Sequence, residues 1–119
     1  MLTVEAVAAG YLRGSRVLED LSFTVERGEI VAVIGRNGMG KTTLMKTVAG
    51  HLRPEAGSIT FDGRSIGGLP PHRIANLGVG YVPQGREILG EFAVTENLLL
   101  GVLGMGFPRF AHAGLPWYF

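Results

Sequence analysis

Cysteine is absent from the chain. Disulfides and thiolate-bound metal are excluded with it, and a reducing compartment is permitted. Charge of one sign is also lacking: the net charge is +1, too little to draw the protein toward nucleic acid or an acidic membrane surface. No long hydrophobic run is found either. The uncharged stretch Asn97 to Pro108, NLLLGVLGMGFP, is rich in glycine and falls short of the ~20 apolar residues a membrane-spanning helix takes. The N-terminus, MLTVEAVAAG, has no basic segment and carries Glu5, so no secretory signal is expected. A soluble protein able to dock on a membrane protein is the expectation. What is abundant is glycine, 19 of 119 residues, about twice its usual ~7% share. Hydrophobic residues at 46% and charged residues at 18% give a globular composition.

Along the chain, the period of apolar residues places the elements. Leu2 to Ala8 alternates weakly and Leu21 to Glu26 more cleanly, so both are predicted strands, joined through a turn at Gly14. After a turn at Arg27-Gly28, Ile30 to Ile34 is apolar at every position, the pattern of a strand covered on both faces in a parallel sheet. A helix is predicted from about Lys41, with Leu44, Val48 and Leu52 on one face beside Met45 and Ala49, ended by Arg53-Pro54 and Gly57. Ser58 to Asp62 reads as a half-buried strand, and Pro70-Pro71 opens a short helix through Asn76. Val79 to Pro83 is predicted as a strand ending at Gln84, and Thr95 as the cap of a helix through Leu103.

Gly35, Gly40, Lys41 and Thr42 carry the spacing G-x-x-x-x-G-K-[ST]. Wrapping a phosphate needs backbone N–H groups that converge on it, and glycines permit that approach. The loop must then run into a helix N-terminus, whose bare N–H groups and dipole favour an anion. Gly35, Asn37, Gly38, Met39, Gly40, Lys41, Thr42 and Thr43 are the candidate nucleotide-binding residues. Lys41 reaches the β- and γ-phosphates of ATP, and the Thr42 hydroxyl ligates Mg²⁺. The predicted strand before the loop and helix after it are the context this motif requires.

The motif with its neighbours resembles the nucleotide-binding domain of ABC transporters. GRNGMGKTTLMKTVAGHLRPEAGSITFDG is similar to that family's Walker A, helix and hairpin; GYVPQGREIL to its Q-loop; AVTENLLLG to its T-V-x-E-N-L stretch. Within the family, the resemblance is to ATPase subunits of branched-chain amino acid and urea importers. It implies an α/β P-loop NTPase with an antiparallel β subdomain, truncated before its helical subdomain is complete. It implies that Tyr11, 30 residues before Lys41, stacks on adenine, with Val17 either lining that pocket or in the core. Gln84 would touch Mg²⁺, position water and sense the γ-phosphate, making Lys41 and Gln84 the catalytic candidates. Gly85 to Asn97 would face transmembrane permease subunits. A second nucleotide-binding domain is the other implied partner, and the implied location is peripheral, on the cytoplasmic face of the membrane. His51, His72 and Arg73 read as structural; His112 lies in the unassigned tail.

The family pattern is incomplete. No LSGGQ-like segment, no Asp-Glu pair closing an apolar strand and no later switch histidine is present. Residues 1–106 are therefore expected to be the N-terminal part of such a domain. Residues 107–119 form an unassigned tail and a candidate non-native continuation. ATP binding with weak or absent hydrolysis is the expectation for this chain. The alternatives are a soluble ABC-type ATPase acting on ribosomes or DNA repair, and a non-catalytic nucleotide-binding remnant. A small-molecule kinase is the poorest fit, because of the hairpin and the Q-loop.

Overall fold

The computed structural model describes residues 1–85 and 88–103. The chain divides into two compact units, Met1–Pro71 and His72–Phe119. The first unit is built on a four-stranded antiparallel sheet of order β2-β1-β3-β4. Its strands are β1 (Leu2–Ala9), β2 (Leu18–Val25), β3 (Ala56–Phe61) and β4 (Arg64–Ser65), with α1 (Lys41–Val48) between β2 and β3. The second unit holds α2 (Pro71–Asn76, begun on the last residue of the first unit) and α3 (Val94–Leu103).

The weak alternation of β1 has a structural cause. Its register against β3 shifts between Glu5 and Ala8, and Ala6 sits at φ 49°. The extra residues let Val7, Ala8 and Ala9 all turn inward, which a regular strand forbids. Opposite the bulge stands Gly57, at φ 82°; a Cβ there would lie 2.4 Å from the carbonyl oxygens of Glu5 and Ala6. Only glycine satisfies both the dihedral and the space. β2 begins three residues earlier than its alternation suggests, because Leu18 pairs with Ala9 and is buried. Ala9, Leu18 and Leu44 form a core cluster, joined by Leu21, Phe23 and Val48. The β3–β4 hairpin turns on Asp62-Gly63, at φ 47° and 77°, the two positive values a type I′ turn demands. Asp62 also accepts from the Met1 amino group at 2.7 Å. That contact first, and Arg27 next, hold its carboxyl below the ordinary carboxylate range.

Two predicted strands are not formed. Residues 30–34 have no ladder partner among the described residues. Ile30 is 97% and Ile34 92% exposed. Val79 to Pro83 is likewise irregular. An uninterrupted apolar run states a demand for burial, but a strand also needs neighbours to take its N–H and C=O groups. Where none runs alongside, the pattern stays unanswered.

Helix boundaries also depart from the sequence reading. α1 stops at Val48, well before Arg53-Pro54. Gly50 adopts φ 84°, the His51 N–H donates to the Lys46 carbonyl at 2.8 Å and the Gly50 N–H to the Thr47 carbonyl at 3.2 Å. This is a Schellman closure, in which a left-handed glycine satisfies the last carbonyls. The buried face is Thr43, Leu44 and Thr47, while Met45 is exposed and Leu52 lies beyond the helix. Thr95 is not the cap of α3. The helix starts at Val94, and the Glu96 carboxylate accepts from the Ala93 N–H at 2.7 Å. That is the reciprocal half of a capping box, with alanine in place of the hydroxyl residue.

Candidate functional site

The loop from Gly35 leads straight into α1. Gly40 precedes the helix at φ 97° and ψ 3°, and no side chain caps the N-terminus. The first intrahelical bond runs from the Leu44 N–H to the Gly40 carbonyl at 2.9 Å. The N–H groups of Lys41, Thr42 and Thr43 therefore have no acceptor within the helix. These are the donors that a phosphate would take. Lys41 bends back so that its ammonium donates to the Gly35 carbonyl. One bond thus closes the loop and sets the charge beside the bare helix end. Inside the loop, Met39 N–H donates to Arg36 O at 3.3 Å.

Gly40 has a role that its place in the motif does not reveal. It is buried, and a Cβ there would stand 2.8 Å from Leu18 Cδ2 and 3.3 Å from Val17 Cγ1. The loop is seated on the start of β2. Val17 is 41% exposed, so it borders the loop rather than filling the core. Asn37, Gly38, Met39 and Thr42 are exposed, whereas Thr43 is buried. The Thr43 side chain thus faces the interior and leaves only its backbone N–H to a ligand. Its carbonyl accepts from Thr47 Oγ1 at 2.7 Å.

Tyr11 follows β1 in a bend just before the tight turn closed by the Leu12–Ser15 bridge, and is 55% exposed. The Lys46 ammonium lies over its ring, 5.4 Å from the centroid. Nothing in the sequence pattern pairs these residues, because they come from different elements. Glu55 accepts from the Gly14 N–H at 3.3 Å and from Arg16 Nε at 3.2 Å, so it clasps the turn that follows Tyr11.

Gln84 belongs to the second unit and follows the irregular segment 79–83. Arg86 and Glu87 of the PQGRE segment, and the tail from residue 104 with His112, lie outside the described residues. From Ile88 to Asn97 the chain is organised by one side chain. The Leu89 N–H donates to Asn97 Oδ1 at 3.0 Å, and Asn97 Nδ2 is 3.1 Å from the carbonyls of Leu89, Phe92 and Ala93. An asparagine inside a helix is a poor helix former that binds nearby backbone, which is the signal that could have marked it. Ile88, Leu89, Phe92, Val94, Leu98, Leu99 and Leu100 are exposed.

Among the described residues, no three His, Asp or Glu side chains gather as a metal site. The exposed Thr42 hydroxyl is a hard oxygen donor, of the kind that suits Mg²⁺ when phosphates and water complete its shell. No helix among those residues is long and apolar enough to cross a membrane.

Comparison with known proteins places this geometry. The model of the family described as "ABC transporter" matches residues 18–115. The lipopolysaccharide export system ATP-binding protein LptB of Escherichia coli K12 is 44% identical over 98 residues, 82% of this chain and 40% of that protein. The high-affinity branched-chain amino acid transport ATP-binding protein BraG of Pseudomonas aeruginosa is 39% identical over 101 residues, covering 85% and 43%. A solved structure of an ATP-binding subunit of an ABC transporter superposes with TM-score 0.78 at 34% identity, over 90% of this chain and 43% of that one. The chain thus spans about two fifths of the length of these relatives.

Proposed function

The chain belongs to the ABC transporter family, and from that premise we propose that it binds ATP through Gly35 to Thr43 in a subunit that couples ATP to solute transport. The carrying observation is the uncapped start of α1 with the Lys41 ammonium folded back onto the Gly35 carbonyl. In this reading Lys41 neutralises the β- and γ-phosphates, and the N–H groups of residues 38–43 wrap them. The Thr42 hydroxyl and the Gln84 amide are the ligands offered to Mg²⁺, which would offset the triphosphate charge. Gln84 also orients water. Tyr11 stacks on adenine, an interaction that needs only an aromatic face in reach.

Residues 1–106 then form the N-terminal part of a nucleotide-binding domain. The whole protein pairs with a second such domain and with transmembrane permease subunits, on the cytoplasmic face of the membrane. Gly85 to Asn97 is the surface offered to the permease, and within it Ile88, Leu89, Phe92 and Val94 are exposed. A branched-chain amino acid, urea or a similar small solute is the cargo favoured by the PQGRE segment and by the likeness to BraG. The likeness to LptB supports a second reading, export of a lipid-linked cargo. In either case an LSGGQ-like segment and an Asp-Glu pair closing an apolar strand are not among these 119 residues, which by themselves bind ATP and turn it over poorly.

Equilibrium binding of ATP with and without Mg²⁺ tests this. Lys41→Ala is expected to weaken binding about 10- to 100-fold, the worth of a charged hydrogen bond. Equal affinity of the wild type and Lys41→Ala would refute the assignment of the loop.

A further inference from the structure

We propose that Lys46 is a positioning residue for the nucleotide base, acting through Tyr11. The inference deepens the reading of Tyr11 given above and rests on it. Tyr11 sits in a bend beyond the end of β1, where its half-exposed ring has few neighbours to hold it. Lys46 is on α1, five residues past Lys41. Its ammonium lies 5.4 Å from the centre of the Tyr11 ring, within the range of a cation–π attraction.

The backbone from which Lys46 projects is well fixed. The Lys46 carbonyl accepts from the N–H groups of both His51 and Leu52, at 2.8 and 3.2 Å. Lys46 lies at the C-terminal end of the helix, where a cation is favoured by the dipole. The helix whose N-terminus faces the phosphates therefore also reaches the aromatic ring from its last turn. The ring and the phosphate cradle are coupled through one rigid element.

The ring has two faces. The ammonium covers one and biases the side chain toward a single rotamer. The other face remains for a purine, and the ring need not be ordered when the base arrives. Ordering a side chain in advance strengthens binding without a new contact. An exposed cation–π pair is worth about a two- to fivefold shift in equilibrium, and that is the effect expected on ATP affinity. In this reading the triphosphate sits at the other end of the helix, about 7.5 Å from Lys46 along its axis. The Lys46 charge therefore adds a small screened attraction for any polyphosphate, and its contribution through Tyr11 is the part that needs the base.

The experiment is calorimetric binding of Mg-ATP and of Mg-tripolyphosphate to the full 119-residue chain. The variants are Lys46→Met, Lys46→Arg, Tyr11→Ala and the Lys46→Met/Tyr11→Ala pair. Methionine keeps the straight stem and helix propensity of lysine, and unfolding curves check that each variant is folded. Lys46→Met is expected to weaken ATP about two- to fivefold more than it weakens tripolyphosphate. Lys46→Arg restores ATP affinity, and the Lys46 effect vanishes when Tyr11 is alanine. The proposal is overturned by an equal loss for tripolyphosphate, by an undiminished loss in the Tyr11→Ala background, or by tighter ATP binding in Lys46→Met. A wild type that binds neither ligand overturns the functional reading as well. A wild type that binds both, with Lys46→Met indistinguishable from it, overturns this inference alone.

Discussion

Gly40→Ala should destabilise the chain, and the reason is not the phosphate it is expected to cradle. At φ 97° an alanine meets the left-handed penalty, about 1–2 kcal/mol. Its Cβ would also stand 2.8 Å from Leu18 Cδ2, and forcing an extra carbon into a packed site costs about 1–3 kcal/mol. The stiffer unfolded chain returns about 0.4–1 kcal/mol. The net loss is about 1–4.5 kcal/mol, against the ~5–15 kcal/mol a domain has. Leu18 belongs to the cluster with Ala9 and Leu44, so the strain enters the core directly. Gly35→Ala is the control. Its Cβ would meet nothing closer than 3.9 Å and its φ is not left-handed, so its stability should change by no more than about 0.5 kcal/mol. Urea unfolding of the two variants without nucleotide separates these terms. If both midpoints match the wild type, the packing of Gly40 on β2 is wrong as described.

Three further outcomes follow from particular contacts. Ile30→Lys, at a site 97% exposed, should leave stability within about 0.5 kcal/mol and reduce aggregation seen by light scattering, because it breaks an uncharged β-prone run; a marked loss of stability would mean that the run is buried. Asn97→Ala removes the acceptor of the Leu89 N–H and the donor to three carbonyls. Exchange of the Leu89 amide should quicken about tenfold, and unchanged exchange would refute the organising role. Thr47→Val removes the bond from Thr47 Oγ1 to the Thr43 carbonyl while keeping the buried volume. It should cost about 0.5–1.5 kcal/mol in thermal or urea unfolding, and a neutral result would show that the hydroxyl contributes nothing there.

Much of the candidate site was legible because its chemistry is short-range. The spacing of Gly35, Gly40, Lys41 and Thr42 located both the loop and the start of α1, which begins at Lys41. Pro71 marked a helix that the structure contains, and the hairpin implied by the family resemblance is there as β3–β4, with Asp62 in its turn rather than at the end of the strand. The errors cluster at boundaries set by interactions absent from a propensity reading. α1 was expected to run to Arg53, but Gly50 in a left-handed conformation closed it. Thr95 was expected to cap α3, but the Glu96 carboxylate took the Ala93 N–H one turn earlier.

The largest miss is Ile30 to Ile34. Its composition determined that it prefers an extended, buried setting, but not that a neighbour would be there to pair with it. Loop and helix-start chemistry depends on residues within a few positions, so the sequence by itself determined the loop from Gly35 to Gly40 and the start of the helix it feeds. Pairing depends on segments far apart in the chain. Only the tertiary structure decided the β2-β1-β3-β4 order and the bulge of β1 against Gly57. It alone seated Gly40 on Leu18 and placed Lys46 over Tyr11. These are contacts between side chains whose separation in sequence carries no trace of their meeting, because packing selects partners by shape and burial rather than by local dihedral preference.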